Sequence, residues 1–119
     1  MTTVQQPSRG EVWLLSLDPT VGSEIQKTRP VIVVSSIALN RVPVRIIVPI
    51  TSWQPRFSNQ VNKVSIASTP RNGLDNESAA DVLQVRCVSV QRFVRKLGLL
   101  EADLLEEVVA GIALAIDYR

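Results

Sequence analysis

The residues best suited to phosphate chemistry in this sequence gather around two predicted strands. Glu24, Lys27 and Arg29 come from one polar loop and its junction with a strand, and Thr51 and Ser52 follow the third predicted strand. If the second and third strands pair as antiparallel neighbours, Arg29 lies close to Thr51. The cluster then offers a guanidinium fork, a hydroxyl and a carboxylate to a phosphate. From spacing alone, such side chains are more often solvated loop charges, a strand-capping arginine and an ordinary strand-end hydroxyl than a catalytic site.

The complete absence of histidine narrows the possible chemistry. It excludes histidine acid–base catalysis, Ser–His and Cys–His nucleophile pairs, and zinc sites with histidine ligands. The sequence also lacks metal-ligand spacing and a phosphate-binding glycine loop. We therefore expect an enzyme built on this chain to use carboxylate, Lys, Arg, Tyr or hydroxyl groups, with no metal and no cofactor.

Length and composition predict one domain over residues 1–119, with residues 1–8 as a disordered polar tail. Hydrophobic residues make up 45% and aromatic residues only 4%, so aliphatic side chains must fill the core. Cys87 is the single cysteine and cannot form an internal disulfide, which favours a reducing compartment. No apolar run is long enough to span a bilayer. We expect a cytoplasmic protein without a membrane partner.

The charge is unevenly distributed along the chain, although the net charge is only +2. Lys and Arg populate the middle, whereas Glu101, Asp103, Glu106 and Glu107 crowd the C-terminal segment. A basic body suits a polyanionic partner. An ordinary solvated surface explains the charge equally well.

Hydrophobic patterning predicts several strands followed by one helix. A short helical turn is expected within 36–42, and Gly111 in the apolar face of the helix suggests a close approach to a neighbouring element. This order favours a mainly β fold, a compact antiparallel sheet or small barrel with a C-terminal helix packed on it. The predicted strands are 12–17, 30–35, 44–50, 61–66, 79–90 and 92–97, and the predicted helix is 100–116.

Two aromatic residues in a polar loop have two possible uses. Trp53 and Phe57 flank Arg56, and aromatic faces beside an arginine can stack nucleobases or anchor a protein interface. Cys87, inside a predicted strand, is expected to be a small buried hydrophobe. Asp81 is expected to face solvent or to pair across the sheet.

Four motifs of the sequence are informative in combination. They are Arg9-Gly10-Glu11-Val12-Trp13, Asp18-Pro19-Thr20-Val21-Gly22-Ser23-Glu24, Lys27-Thr28-Arg29-Pro30-Val31-Ile32-Val33-Val34-Ser35 and Val48-Pro49-Ile50-Thr51-Ser52. Together they resemble the MazF/PemK family of toxin endoribonucleases. The resemblance implies an SH3-like antiparallel barrel or sheet of the CcdB/PemK toxin type with a C-terminal helix. It also implies a homodimer, metal-independent cleavage of single-stranded RNA at a short sequence, and neutralisation by a cognate antitoxin.

The resemblance implies that Arg29 and Thr51 are catalytic, and that Glu24 contributes as in some relatives. Because an arginine pKa lies above about 12, we prefer Glu24 as the base and Arg29 as the stabiliser of phosphate charge. Some relatives carry an acid where this chain has Leu83, so we expect the first two strands and their loops to provide the reaction. The predicted RNA-binding residues are Lys27, Ser52, Trp53, Arg56 and Arg86.

Two other functions remain open from the sequence. A CcdB-like toxin on the same architecture would inhibit DNA gyrase through protein contact without cleaving RNA, although the Arg-Pro and Pro-Ile-Thr motifs argue against it. A nucleic-acid-binding domain without catalysis would bind RNA and leave it intact.

Overall fold

Seven β-strands and one α-helix make up the computed structural model, which describes residues 5–17 and 28–118. The predicted order of strands followed by one helix is confirmed. Short 3₁₀ turns connect several of the strands, including Ile37–Leu39 within the predicted helical turn. The strands are β1 Glu11–Ser16, β2 Thr28–Val33, β3 Val44–Ser52, β4 Lys63–Ile66, β5 Ser78–Asp81, β6 Arg86–Ser89 and β7 Phe93–Leu99, and the helix α1 is Ala102–Ala115.

All pairings of the sheet are antiparallel, and the strands follow the order β4-β5-β3-β2-β1-β7. One edge of β3 pairs with β2. The other edge pairs first with β6, from Val44 to Ile47, and then with β5, from Ile50 to Ser52. Pro49 lies in the short gap between these two ladders, where its missing N–H costs least.

The predicted single strand 79–90 is wrong, because a 3₁₀ turn, Val82–Gln84, separates β5 from β6. Val82 is 1% exposed and packs in the core cluster beneath α1. Turning Val82 inward interrupts the β ladder, and β3 changes partner at the same place. The alternating sequence predicted the two strands but not the turn between them.

The core has two parts. One cluster, including Ile32, Val48 and Ile50, packs beneath α1, with Leu104, Leu105 and Ile112 of the helix against it. The other includes Trp13, Ile47 and Phe93. The rings of Trp13 and Phe93 meet edge to face, with their centroids 5.6 Å apart. Successive side chains of β3 therefore enter different clusters, as strand geometry requires.

Gly111 lets α1 approach the 3₁₀ turn closely, as its position in the apolar face suggested. A Cβ added at Gly111 would lie 3.2 Å from Val82 Cγ1. Among the described residues, no helix is both long and apolar enough to cross a membrane.

Arg45 belongs to the core and does not contribute to the basic surface. Its side chain is 1% exposed, and its Nε donates to Pro7 O at 2.7 Å. Its Nη1 donates to Val42 O and Val44 O at 2.7 and 2.8 Å. Residues 5–8 of the predicted tail therefore contact the folded body, with Pro7 buried.

Cys87 corrects another expectation, because the thiol residue is exposed and not buried. It pairs with Ile46 across β3 and β6, and Ile46 is itself an exposed apolar residue. The strand pattern identified the alternation but not which side of β6 the rest of the protein covers.

Candidate functional site

The register of β2 and β3 brings the two strand ends together. Val31 pairs with Pro49, and the same antiparallel register continued by two residues sets Arg29 opposite Thr51. Both side chains line the same two adjoining cavities. The predicted proximity of Arg29 and Thr51 is therefore found in the structure.

The larger cavity has a volume of about 450 Å³ and a strongly cationic lining. Arg29, Arg56, Lys63 and Arg86 contribute positive charge, whereas Asp81 is the only carboxylate among the described lining residues. An excess of cations in one concave surface attracts and orients polyanions. Thr51 adds a hydroxyl that can donate to a phosphate oxygen.

The second cavity, of about 200 Å³, extends the first beyond Arg29 and Thr51. Ser52, Asp75 and Asn76 line it, so its described lining offers carboxylate, amide and hydroxyl groups instead of several cations. Such groups can hydrogen-bond the edges of nucleobases. The two cavities together form a groove in which a cationic part adjoins a polar part.

Strand β4 and strand β5 add an ion pair to the larger cavity. Lys63 pairs with Asp81 in the β4–β5 register, and Lys63 Nζ lies 3.6 Å from Asp81 Oδ2. Asp81 Oδ1 accepts a hydrogen bond from Asn62 Nδ2 at 3.4 Å. The expectation that Asp81 pairs across the sheet is confirmed, with Lys63 as its partner.

The aromatic residues of the 53–57 segment pack against each other. Phe57 is buried and Trp53 meets its ring edge to face at 5.8 Å. The Arg56 guanidinium carbon lies 5.4 Å from the Phe57 ring centroid. Phe57 lines the larger cavity, whereas Trp53 contacts Phe57 and lines neither cavity.

The predicted site residues divide into three groups. Arg29, Thr51, Arg56 and Arg86 line the larger cavity, and Ser52 lines the second. Trp53 reaches the site only through Phe57, so its RNA-binding role stays a prediction. Glu24 and Lys27 lie outside the described residues, and their predicted roles also stay predictions.

Sequence reasoning missed Lys63, Asp75, Asn76 and the place of Asp81 in the cavity. The 61–66 alternation was visible, and it put Lys63 on one face of its strand, but nothing local indicated which strand β4 would join. Leu83, at the position where some relatives carry an acid, is 60% exposed and lies outside the larger cavity's lining. The described residues contain no group of three or more His, Cys, Asp or Glu side chains able to hold a metal ion.

Comparison with known proteins gives the site a family context. Residues 8–116 match the family model described as PemK-like, MazF-like toxin of type II toxin–antitoxin system. The chain belongs to this family. All four motifs that suggested the MazF/PemK resemblance lie within the matched residues.

Individual relatives agree with this assignment. The endoribonuclease MazF9 of Mycobacterium tuberculosis is 31% identical over 116 residues, covering 92% of this chain and 95% of that protein. The endoribonuclease PemK of Escherichia coli is 58% identical over 45 residues, which are 37% of this chain and 34% of that protein.

The fold is that of solved MazF structures. A MazE–MazF crystal structure from Deinococcus radiodurans superimposes with a TM-score of 0.79, at 22% identity, covering 97% of this chain and 99% of that chain. The expected mainly β architecture with one C-terminal helix is thereby confirmed.

Proposed function

We propose that this protein is the toxin of a type II toxin–antitoxin system and acts as a metal-independent endoribonuclease on single-stranded RNA. One observation carries the proposal: Arg29 and Thr51 line the same cationic cavity in a chain that belongs to the PemK-like, MazF-like family. Two curated relatives are named endoribonucleases. We expect sequence-specific cleavage, because the polar groups of the second cavity can hydrogen-bond base edges beside Arg29 and Thr51.

The reaction is in-line attack of a ribose 2′-oxygen on the adjacent phosphorus. The 2′-OH proton passes to a base, the new O2′–P bond forms, and the P–O5′ bond breaks as O5′ gains a proton. The products are a 2′,3′-cyclic phosphate and a 5′-OH. DNA lacks the 2′-OH and is therefore not cleaved.

The described groups match the electrostatic demands of this reaction. The Arg29 guanidinium remains charged and stabilises the negative equatorial oxygens of the transition state. The Thr51 hydroxyl donates to a phosphate oxygen. Glu24 remains the proposed base on chemical grounds, since a carboxylate can accept the 2′-OH proton whereas a guanidinium cannot.

The remaining predicted residues bind the RNA around the scissile bond. Arg56 and Arg86 line the cationic cavity and contact phosphates, whereas Ser52 contributes to the polar second cavity. Lys27 adds positive potential, and Trp53 stabilises the aromatic wall through Phe57.

We further propose that the toxin works in the cytoplasm as a homodimer and is neutralised by a cognate antitoxin. The family description names a toxin–antitoxin system, and the Deinococcus radiodurans structure contains MazE together with MazF. A disordered antitoxin segment that covers the groove would exclude RNA directly. Sedimentation of the purified protein measures the dimer, and co-purification with the antitoxin measures the complex.

The decisive experiment incubates the purified protein with RNA and analyses the ends of the fragments. Arg29→Ala is expected to abolish cleavage, whereas Arg41→Ala, at an exposed arginine outside both cavities, retains it. Cleavage by Arg29→Ala at the parent rate, or loss of parent activity in EDTA, would contradict the proposal. RNA that is bound but intact would instead indicate a binding domain.

The gyrase-inhibitor alternative is not favoured by the endoribonuclease relatives. It remains an outcome of the same experiment, because a CcdB-like protein would leave RNA intact and inhibit supercoiling by DNA gyrase.

A further inference from the structure

A lysine that the proposed reaction does not use is held rigidly in the wall of the larger cavity. The Lys63 side chain is only 11% exposed, although Lys63 lines the cavity. Lysine is usually among the most exposed and mobile side chains of a protein. A lysine immobilised in a groove needs a physical explanation.

Three neighbours fix the Lys63 ammonium group. Nζ donates to Gln60 Oε1 at 3.2 Å, lies 3.6 Å from Asp81 Oδ2, and lies 4.9 Å from the centroid of the Phe57 ring. The carboxylate is itself oriented by Asn62, whose Nδ2 donates to Asp81 Oδ1 at 3.4 Å. Fixing the ammonium in advance reduces the entropy that a ligand must otherwise overcome.

The register of the sheet places Lys63 on the same face as the proposed catalytic pair. Ala79 pairs with Thr51, and two residues later Asp81 pairs with Lys63. Residues two apart on a strand share a face, so Thr51, Asp81 and Lys63 all project from one side of the sheet. Lys63 therefore faces the groove that contains Thr51.

Lys63 stands too far from Arg29 along the sheet to duplicate its role. The strands β3 and β5 lie between β2, which carries Arg29, and β4, which carries Lys63. Because neighbouring strands are about 4.8 Å apart, roughly 14 Å separates the two backbones. Two long cationic side chains at this separation can contact two different phosphates of one chain.

We propose that Lys63 is a phosphate-binding residue of the groove, and that it contacts a backbone phosphate neighbouring the scissile one. Asp81, Gln60 and Phe57 hold its ammonium in place. The inference rests on the proposed function for its ligand, single-stranded RNA, but it concerns binding and not cleavage.

The competing explanation is that Lys63 serves only to neutralise Asp81. Removing Lys63 alone would then weaken RNA binding indirectly, because the unpaired carboxylate would repel phosphate. A double variant, Lys63→Met/Asp81→Asn, removes both charges and leaves the net charge of the protein unchanged. It separates direct contact from simple charge balance.

The experiment measures the affinity of a labelled, random-sequence single-stranded DNA at several salt concentrations, after circular dichroism has verified folding. DNA reports phosphate contacts without being cleaved. Each phosphate contact adds about 0.7 to the slope of log K against log salt for single strands. We expect the double variant to lose about one contact by this measure.

A second ion pair in the same protein provides the matched control. Lys96 Nζ lies 3.2 Å from Glu11 Oε2, and neither residue lines the two cavities. The double variant Lys96→Met/Glu11→Gln removes that pair and should keep the parent slope. If Lys63→Met/Asp81→Asn also keeps the parent slope and affinity, the inference is wrong.

A measurement on the parent protein, without any substitution, tests the inference if the variant does not fold. Acetylation of Lys63, followed by mass spectrometry, should slow when the same DNA is added, whereas acetylation of Lys96 should not. Equal rates at Lys63 with and without DNA would overturn the inference. A parent protein that binds no single strand would also overturn it.

Failure of the proposed function has a different signature. RNA left intact while binding still depends on Lys63 would refute the endoribonuclease and leave the phosphate contact standing. RNA that is cleaved, with no contribution from Lys63 to binding, would support the endoribonuclease and refute the phosphate contact.

Discussion

Arg29 at the start of β2 and Thr51 near the end of β3 lie two residues beyond the paired residues Val31 and Pro49, and both line the same two cavities. Both residues belong to strands whose neighbouring side chains pack in the hydrophobic core, so their positions do not depend on a surface loop. Val31, two residues after Arg29, and Ile50, directly before Thr51, are buried. The site is therefore built on rigid backbone, which favours precise positioning of a phosphate.

The Thr51 hydroxyl can be tested without disturbing the strand. Thr51→Val keeps the branched shape but removes the donor, and loss of one such donor typically lowers kcat by about 10²–10³-fold. We expect that range for RNA cleavage by this variant, measured as single-turnover rates. Thr51→Ser keeps a hydroxyl and should retain most activity. Cleavage by Thr51→Val at the parent rate would exclude a role for the hydroxyl.

The close approach of α1 to the 3₁₀ turn predicts an unusual response to Gly111→Ala. The new Cβ would crowd Val82 Cγ1 at 3.2 Å, so the variant should unfold at lower temperature despite the better helix propensity of alanine. In a Val82→Ala background the crowding disappears, and the same change should stabilise by about 1 kcal/mol. Thermal unfolding of the four proteins measures this reversal; a destabilisation of the same size in both backgrounds would contradict it.

The buried Arg45 should be essential for folding and not for RNA binding. Replacing it with Met leaves Pro7 O, Val42 O and Val44 O without their donor, and we expect a loss of about 3 kcal/mol in the free energy of unfolding. Urea unfolding provides the measurement. The exposed Arg41 is the matched control, and Arg41→Met should change the free energy by less than about 0.5 kcal/mol.

Glu101 predicts an acid-sensitive contribution to stability. Burial raises the pKa of its carboxyl, but hydrogen bonds from Thr69 and Asn72, with a nearby Arg71, outweigh it and lower the pKa below its ordinary value of 4.5. Thr69 Oγ1 and Asn72 Nδ2 donate to the two carboxylate oxygens at 2.7 and 3.1 Å. A lowered folded-state pKa stabilises the protein above pH 4.5, and this contribution is lost as the pH falls through the folded value.

The variant Glu101→Gln tests that contribution. It should be less stable than the parent at neutral pH, and the difference should shrink as the pH falls below 4.5. Thermal unfolding across this range provides the curve. Asp103→Asn, at an exposed acid in the first turn of α1, is the control. A Glu101→Gln difference that is constant with pH would exclude a role for ionisation.

The sequence predicted the parts of the site that depend on local pattern. Pro30 and the run of β-branched residues after it marked β2, and the approach of Arg29 to Thr51 required only that neighbouring strands pair. Lys63 and Asp81 could not be assigned in the same way, because β4 joins the sheet through β5, and that pairing depends on where the chain turns at Val82. The burial of Arg45 could not be predicted for a related reason, since a charged residue between aliphatic neighbours is expected to be exposed until its backbone acceptors are known.

One edge of β3 pairs with two different strands, β6 and then β5, and this has a consequence for misfolding of the protein. Its odd-numbered residues include both Arg45, enclosed by carbonyl oxygens, and Thr51, in the groove. A slip of one residue in the pairing of β3 would turn both to the opposite face. A chain with this misregister would lose the hydrogen bonds of the Arg45 guanidinium and would also lose Thr51 from the groove. The same error would therefore destabilise the fold and inactivate the site, so a misfolded chain would not be toxic.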